Sequence, residues 1–462
     1  MTTLDLVLTV LACAAPLASV SGVFPFAIAF GGGWAPVAFF GAMVILALFA
    51  TGIATMSKLV PNPGAFYAYI TVGIGKSAGL GGAFLAIFAY WLITAASYAF
   101  LGSATQQLVH GSWGGPDIPW YVYTFAGLAI VTVLAYHNVA ISAKVLSVVM
   151  MLEVLIIVIF DVAVGVQADK GAVSLPGLFG GALAPSDFPI AIVYALLCFI
   201  GFESTAIFRE EARNPEKTVP RAMLLAVLTI GIFYVTSSFM LILAFGPEEA
   251  LRMALNEPAT MFPTALSTFV GPVASDIMSV LLVTSVFASL IALQNMLGRY
   301  MYSMGNDGVL PSQLGAAHPK HGSPYKAAIV TGLMIAALAL VFFVDPSDPM
   351  KLYGQMVGAG TWALILLMVV AAAAVVIFFV RTPQPGTSAF KTKVAPILSF
   401  IGLALIIYFT TANLSLFTGL EGALAIGFIV VTVLVFTAGC LAAQRFRTKR
   451  PDVYARIGRQ QG

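Results

Sequence analysis

Pro16-Leu17-Ala18-Ser19-Val20-Ser21-Gly22-Val23-Phe24-Pro25 interrupts one long apolar run of the chain, and Phe199-Ile200-Gly201-Phe202-Glu203-Ser204 interrupts another. In each, residues that break or loosen a helix sit where a membrane helix would cross the bilayer centre: two prolines and small residues in the first, a glycine and a carboxylate in the second. Non-helical backbone at that depth is tolerated only where it is buried in protein or lines a cavity. Kinks and close-packing points are the structural alternative for either break alone. Paired breaks at corresponding places in two halves of a chain point instead to a solute site. Freed amides at the start of a half-helix attract anionic groups, and freed carbonyls attract cations.

The surroundings of the two stretches make a membrane the only solvent that fits. Apolar residues make up 60% of the 462 positions and charged residues 9%, against about 25% charged in soluble domains. Spans are expected near 5–30, 36–57, 81–108, 120–136, 142–167, 188–209, 221–246, 272–300, 325–344, 354–380, 394–414 and 420–444, each near the roughly 20 residues that cross a hydrocarbon core. The runs lack the alternation of lipid-facing strands, so the fold class is an all-α polytopic membrane protein of about twelve helices. The first apolar segment has no basic start and runs on into a full span, so it is expected to stay rather than to be cleaved.

With the N-terminus inside, nineteen of the 22 Lys and Arg residues fall in inside loops and the tail, leaving Lys170, Arg252 and Lys351 outside. Cytoplasmic loops carry that excess, which predicts both termini in the cytoplasm of a bacterial-type inner membrane. The net charge of +3 is therefore a matter of orientation and makes no case for nucleic acid. Cys13, Cys198 and Cys440 lie singly in apolar spans with no metal or disulfide spacing. Gly75-Lys76-Ser77-Ala78-Gly79 satisfies a nucleophile-elbow pattern but lies between two membrane helices, without the strand-to-helix context or the Asp and His partners. Neither an enzyme nor a metal centre is expected.

Three further motifs carry a family resemblance. Phe199 to Ser204, followed by Glu210-Glu211-Ala212-Arg213-Asn214-Pro215-Glu216-Lys217-Thr218-Val219-Pro220-Arg221-Ala222, resembles the sixth helix and following loop of the amino acid–polyamine–organocation (APC) permeases. Asn295 through Arg299-Tyr300, Gly305-Asn306-Asp307-Gly308-Val309-Leu310-Pro311 and His318-Pro319-Lys320-His321-Gly322-Ser323-Pro324 is a second match, and Pro61-Asn62-Pro63-Gly64-Ala65-Phe66-Tyr67-Ala68-Tyr69 a third. The resemblance implies a five-plus-five inverted repeat of the leucine-transporter type with two further helices: 1–167, 188–380 and 394–444, then a basic tail over 445–462. It also implies alternating access driven by an ion gradient, with no cofactor; a proton gradient is expected and sodium stays open. The solute is an amino acid or a small organic amine such as a polyamine or monoamine. An exchanger, a channel and a substrate-sensing receptor are the alternatives, and the oligomeric state is open.

By this resemblance, the unwound part of the first helix, Ser19, Val20, Ser21, Gly22 and Val23, faces the solute with Phe24, opposite Phe199, Ile200, Gly201 and Phe202 of the sixth. Family members that bind amino acids commonly show Gly-Ser-Gly where this chain has Val20-Ser21-Gly22, so Val20 leaves a carboxylate-free amine open. Thr94 and Tyr98 on the third helix are expected to border the site, with Tyr90, Trp91, Phe24 and Phe202 completing an aromatic box worth about 0.5–2 kcal/mol per ring toward an ammonium. Ser285 adds a polar contact, with Ser289 four residues on. Glu153 sits mid-span, where a charged side chain costs on the order of 3 kcal/mol and marks an ion or proton pathway. Relatives carry a protonatable group at what looks like this position, which makes Glu153 the expected proton-coupling residue. Glu203 is the expected gating residue, and Asp161 is expected near the outer headgroups.

Overall fold

The computed structural model describes residues 3–60, 65–137, 143–168, 185–202, 214–343, 348–384 and 386–458, and its regular elements are helices. The first pass is built from three pieces: α1 (Thr3–Ala14), α2 (Pro16–Gly22) and α3 (Phe24–Gly31). The return pass is α4 (Ala35–Ser57). Were α3 and α4 continuous, Phe24 and Phe39 would lie about 22 Å apart along the axis. Their ring centroids are 4.5 Å apart. The chain therefore reverses between Gly31 and Ala35, where Gly32 takes φ 52°, a conformation open to glycine without strain.

A short α5 (Ala65–Gly73) leads into α6 (Lys76–Gln106), followed by α7 (Trp120–Tyr136) and α8 (Ala143–Gln167). The second half begins with α9 (Phe188–Leu197) and continues through α10 (Pro215–Phe245), α11 (Pro247–Asn256), α12 (Met261–Phe269), α13 (Pro272–Asn306), α14 (Tyr325–Ala339) and α15 (Pro349–Arg381). Last come α16 (Ala395–Ala412), α17 (Leu414–Thr418), α18 (Gly422–Lys449) and α19 (Pro451–Arg456). Many of these helices open on a proline at their first or second position, where the missing N–H would have had no helical partner.

Among the described residues, eight helical stretches are long and apolar enough to cross a bilayer, and α7, α9 and α14 are shorter apolar helices. Exposed large apolar side chains belt the outside: Met151, Leu155 and Val166 on α8, Tyr408 on α16, Leu424 and Leu434 on α18. A surface of that kind is stable only against lipid, which makes this a multi-pass membrane protein. The interior is dominated by α6 and α15, which pack along each other and against most other helices. Glycines let them approach: a Cβ on Gly360 would lie 2.7 Å from the Ile93 side chain, and one on Gly73 would strike the Ala374 carbonyl that α15 presents to α5.

One end of the bundle gathers the short α5, the ends of α13 and α15, and α19. Arg381 donates to the Gly73 carbonyl at 3.2 Å. Lys76 Nζ donates to the Tyr454 and Ala455 carbonyls at 2.8 Å each, closing the C-terminal end of α19, and the Gly458 amide donates to the Tyr67 hydroxyl at 2.7 Å. Within the basic tail, α19 is thus a docked helix.

Candidate functional site

The first pass is broken at Ala15 and at Val23, and Ser19 to Gly22 between them are helical. This corrects the expected unwinding over Ser19–Gly22, while Val23 falls at a break as expected. Pro16 opens a helix more readily than it interrupts one, so the break moves one residue N-terminal of it, onto Ala15 at φ 44°. In the second half α9 ends at Leu197 and tightens into successive three-residue turns through Cys198, Phe199, Ile200 and Phe202, with Gly201 at φ 110°. That break falls where the sequence places it. Glu203, the expected gate, lies outside the described residues.

The breaks face each other across a cavity of about 80 Å³. From the first pass Ala15, Ala18, Ser19 and Val23 line it, and from the second half Leu197 and Ile200. Ile93, Ser97 and Phe100 of α6, Val286 and Ser289 of α13 and Tyr353 of α15 complete the wall. A water molecule's share of liquid volume is about 30 Å³ and drug-sized ligand pockets run to about 300–1,000 Å³. The cavity is therefore small in this conformation, with room for a few waters.

Its serine hydroxyls share one feature. Ser19 donates to the Ala14 carbonyl at 3.1 Å, Ser97 to Ile93 at 2.8 Å and Ser289 to Val286 at 2.9 Å. Each hydroxyl hydrogen is committed to backbone, so the oxygens remain to accept from a donor such as an ammonium. The Phe100 ring stacks on Tyr353 at 4.8 Å and 18°, forming an aromatic wall. Gly22 makes room for it: a Cβ there would come within 2.6 Å of Phe100 Cζ.

Behind the cavity, Glu153 of α8 is 3% exposed and joins three elements. Its Oε2 accepts from Ser285 Oγ of α13 at 2.8 Å and from the Leu17 amide at 3.4 Å. Leu17 is in the first turn of α2, whose amides the Ala15 break leaves without helical acceptors, so a carboxylate there complements the positive end of that half-helix. Ser285 consequently turns to Glu153, and Ser289, one turn on, faces the cavity.

Several expected contacts belong to packing instead. Val20 and Phe24 are fully buried in the core, and Ser21 Oγ is buried with no hydrogen-bond partner among the described residues. Phe24 and Phe199 both lie edge-on to Tyr234, with centroids at 5.4 and 5.9 Å. Phe202 packs on Phe49 at 6.3 Å, and Trp91 donates to the Met334 carbonyl at 2.8 Å. Thr94 bonds back to Tyr90, while Tyr98 donates to Gln294 Oε1 at 2.5 Å and Gln294 donates onward to Thr132 at 2.9 Å, tying α6 to α13 and α7. The expected aromatic box is not assembled from these side chains. The face of α6 that meets the cavity is Ile93, Ser97 and Phe100, about 100° round the helix from Thr94 and Tyr98. Asp161, expected among headgroups, is buried between α8 and α10 and accepts from Ser237 at 2.7 Å.

Phe100, Tyr353 and Ser97 were missed from sequence. The i, i+4, i+7 spacing of Ile93, Ser97 and Phe100 marks one helix face, but in a helix apolar all round no periodicity says which face looks inward. Among the described residues, no group of three or more His, Cys, Asp or Glu side chains is placed to hold a metal ion.

A multi-pass helical bundle with a small cavity between two interrupted helices is an architecture that suits a permease. Residues 6–452 match the family model described as amino acid permease, and the chain belongs to that family. It is 26% identical over 313 residues to the branched-chain amino acid permease BcaP of Bacillus subtilis (strain 168), covering 66% of this chain and 60% of that protein. It is also 26% identical over 336 residues to the low-affinity putrescine importer PlaP of Escherichia coli (strain K12), covering 70% and 71%. A third relative is the histidine permease HisP of Lactococcus lactis subsp. cremoris (strain MG1363), 26% identical over 319 residues, covering 66% and 65%.

Proposed function

We propose that the chain is a secondary active transporter that moves an amino acid or small organic amine by alternating access, coupled to protons through Glu153. The carrying observation is the cavity between the two helix breaks, with Glu153 bonded to the first turn of α2 immediately behind it. A buried carboxylate on a half-helix gives proton binding a direct mechanical consequence. Its charge attracts the amides that open α2, and neutralising it weakens that attraction and releases the half-helix. The solute site and the proton site share α2, so loading one changes the geometry of the other, and that reciprocal coupling is what symport requires.

In this reading the chain makes twelve passes, as two repeats of five over 1–167 and 188–380 plus two C-terminal helices over 394–444. Both termini face the cytoplasm across an inner membrane. The relatives named above carry a branched-chain amino acid, histidine or putrescine, and the hydroxyl oxygens of Ser19, Ser97 and Ser289 accept from the ammonium end that these solutes share. Phe100 and Tyr353 add aromatic surface. Purified protein in liposomes is expected to show saturable uptake and counterflow of at least one compound from a panel of amino acids, polyamines and monoamines. A flux that rises linearly with concentration and shows no counterflow makes it a channel and overturns the reading.

A further inference from the structure

A second cavity lies apart from the solute site. It encloses about 600 Å³ at the end of the bundle where α4 finishes and α10 and α16 begin, and none of its walls comes from the interrupted helices. Four cations line it: Lys58 caps α4, Lys217 and Arg221 belong to the first two turns of α10, and Lys391 precedes α16. Among the described residues no carboxylate shares the wall and none of the four cations forms an ion pair. Glu216, next to Lys217, is exposed and lies outside the lining.

Four like charges around one concavity repel one another, and an anion with several acceptor oxygens relieves that repulsion more effectively than separate monovalent counterions. Arg221 offers the planar fork that matches phosphate, the lysines offer point charges, and Ser388 and Thr387 put hydroxyls on the same wall. The flanks say where the phosphate comes from. Leu59 in the lining is 43% exposed, Phe390 49%, Leu225 49% and Val394 43%, and the exposed apolar surface continues up α16 through Ile397, Leu398 and Ile401. A polar, cationic hollow at helix ends beside an apolar outer face fits an amphiphile with its anionic head in the hollow and its chains along the helices.

We propose that this cavity binds the phosphate headgroup of an anionic glycerophospholipid, at a site separate from the solute cavity. Bound there, the lipid holds α4, α10 and the turn before α16 together at one end of the bundle.

The test uses the delipidated full-length protein in detergent and native mass spectrometry. Phosphatidylglycerol and phosphatidylcholine of matched chains are titrated in parallel, and inorganic phosphate is titrated alone with thermal unfolding as the readout. The site predicts at least a fivefold preference for phosphatidylglycerol. That preference falls below twofold in Lys217→Gln/Lys391→Gln and is retained in Lys449→Gln, an exposed control. Equal retention of the two lipids by the wild type overturns the proposal without recourse to any variant. Stabilisation by inorganic phosphate with no lipid preference also overturns it, since the site is then one for a free anion. If the double variant fails to fold, Lys58→Gln replaces it, and an unchanged preference in that variant counts against the site.

Discussion

Ser285 Oγ donates to Glu153 Oε2 at 2.8 Å, joining α13 to α8 behind the broken first pass. The bond separates two serines one turn apart into two roles: Ser285 holds the carboxylate and Ser289 lines the cavity. A hydrogen bond contributes about 0.5–1.5 kcal/mol, and about 1.4 kcal/mol is tenfold in an equilibrium constant. Ser289→Ala is therefore expected to raise the KM for uptake by about three- to tenfold. Ser285→Ala is expected to change KM by less than about twofold and to lower the maximal rate. Initial rates of uptake into proteoliposomes distinguish the two, and equal effects on KM would contradict the division.

Gly22 and Phe100 occupy one space. Because a Cβ at Gly22 lies 2.6 Å from Phe100 Cζ, Gly22→Ala forces the ring against Tyr353 and into the cavity. Overpacking of this kind costs about 1–3 kcal/mol, so uptake is expected to fall by about fivefold or more. Adding Phe100→Leu removes the colliding ring edge and should restore part of the lost activity. A double variant no better than Gly22→Ala shows that the collision is not the cause.

The Asp161–Ser237 contact is structural. Ser237→Ala removes the 2.7 Å donor and leaves a carboxylate buried between α8 and α10, while Asp161 Oδ1 already has no hydrogen-bond partner among the described residues. Leaving such a group unsatisfied costs about 1–3 kcal/mol. Ser237→Ala should lower the melting temperature in detergent by several degrees, and adding Asp161→Leu should recover most of it, because paired removal of buried polar partners is nearly neutral.

The docked tail has a pH dependence set by Asp307. Burial pushes this carboxyl up to about 6, against the opposing pull of the Arg456 guanidinium and a Tyr67 hydrogen bond. A carboxyl raised in the folded state contributes stability below its unfolded value, near 4, and loses it as the pH rises through about 6. Tryptic cleavage after the exposed basic residues at the end of α18 should therefore quicken between pH 5 and pH 7, to about twofold or more relative to Asp307→Asn. A wild-type to Asp307→Asn ratio that stays constant with pH removes Asp307 from the tail's docking.

What could be read from the chain and what could not divides on a physical line. Span positions follow from apolar run length and agree closely for α7, α8 and α14. The break near Gly201 was legible because glycine takes positive φ where other residues do so only under strain. At Ala15 the same conformation falls on an alanine, which carries no such signal. Glu153 stood out because a lone carboxylate in a long apolar run has few reasons to be there. Helix rotation was not legible: Thr94 and Tyr98 are as polar as Ser97, and a helix buried on every side, as α6 is, hides which face meets a cavity. Phe100 and Tyr353 were invisible for the same reason, since aromatic rings serve packing and binding alike. Asp161 was misplaced because sequence shows depth along a helix and not the partner, here Ser237, that faces it.

Glu153 carries the central claim, and proton-driven uptake tests it most directly. Proteoliposomes of wild type and Glu153→Gln are compared for initial uptake of the transported solute with and without an imposed inward proton gradient, and for counterflow without one. The amide retains the shape and can still accept from Ser285 and Leu17, but it cannot exchange a proton. The account predicts that the gradient accelerates wild-type uptake, as one pH unit supplies a one-proton symporter with about 1.4 kcal/mol, enough for about tenfold accumulation of the solute. Glu153→Gln is expected to keep counterflow and lose that acceleration. A Glu153→Gln protein that still responds fully to the gradient would contradict the account.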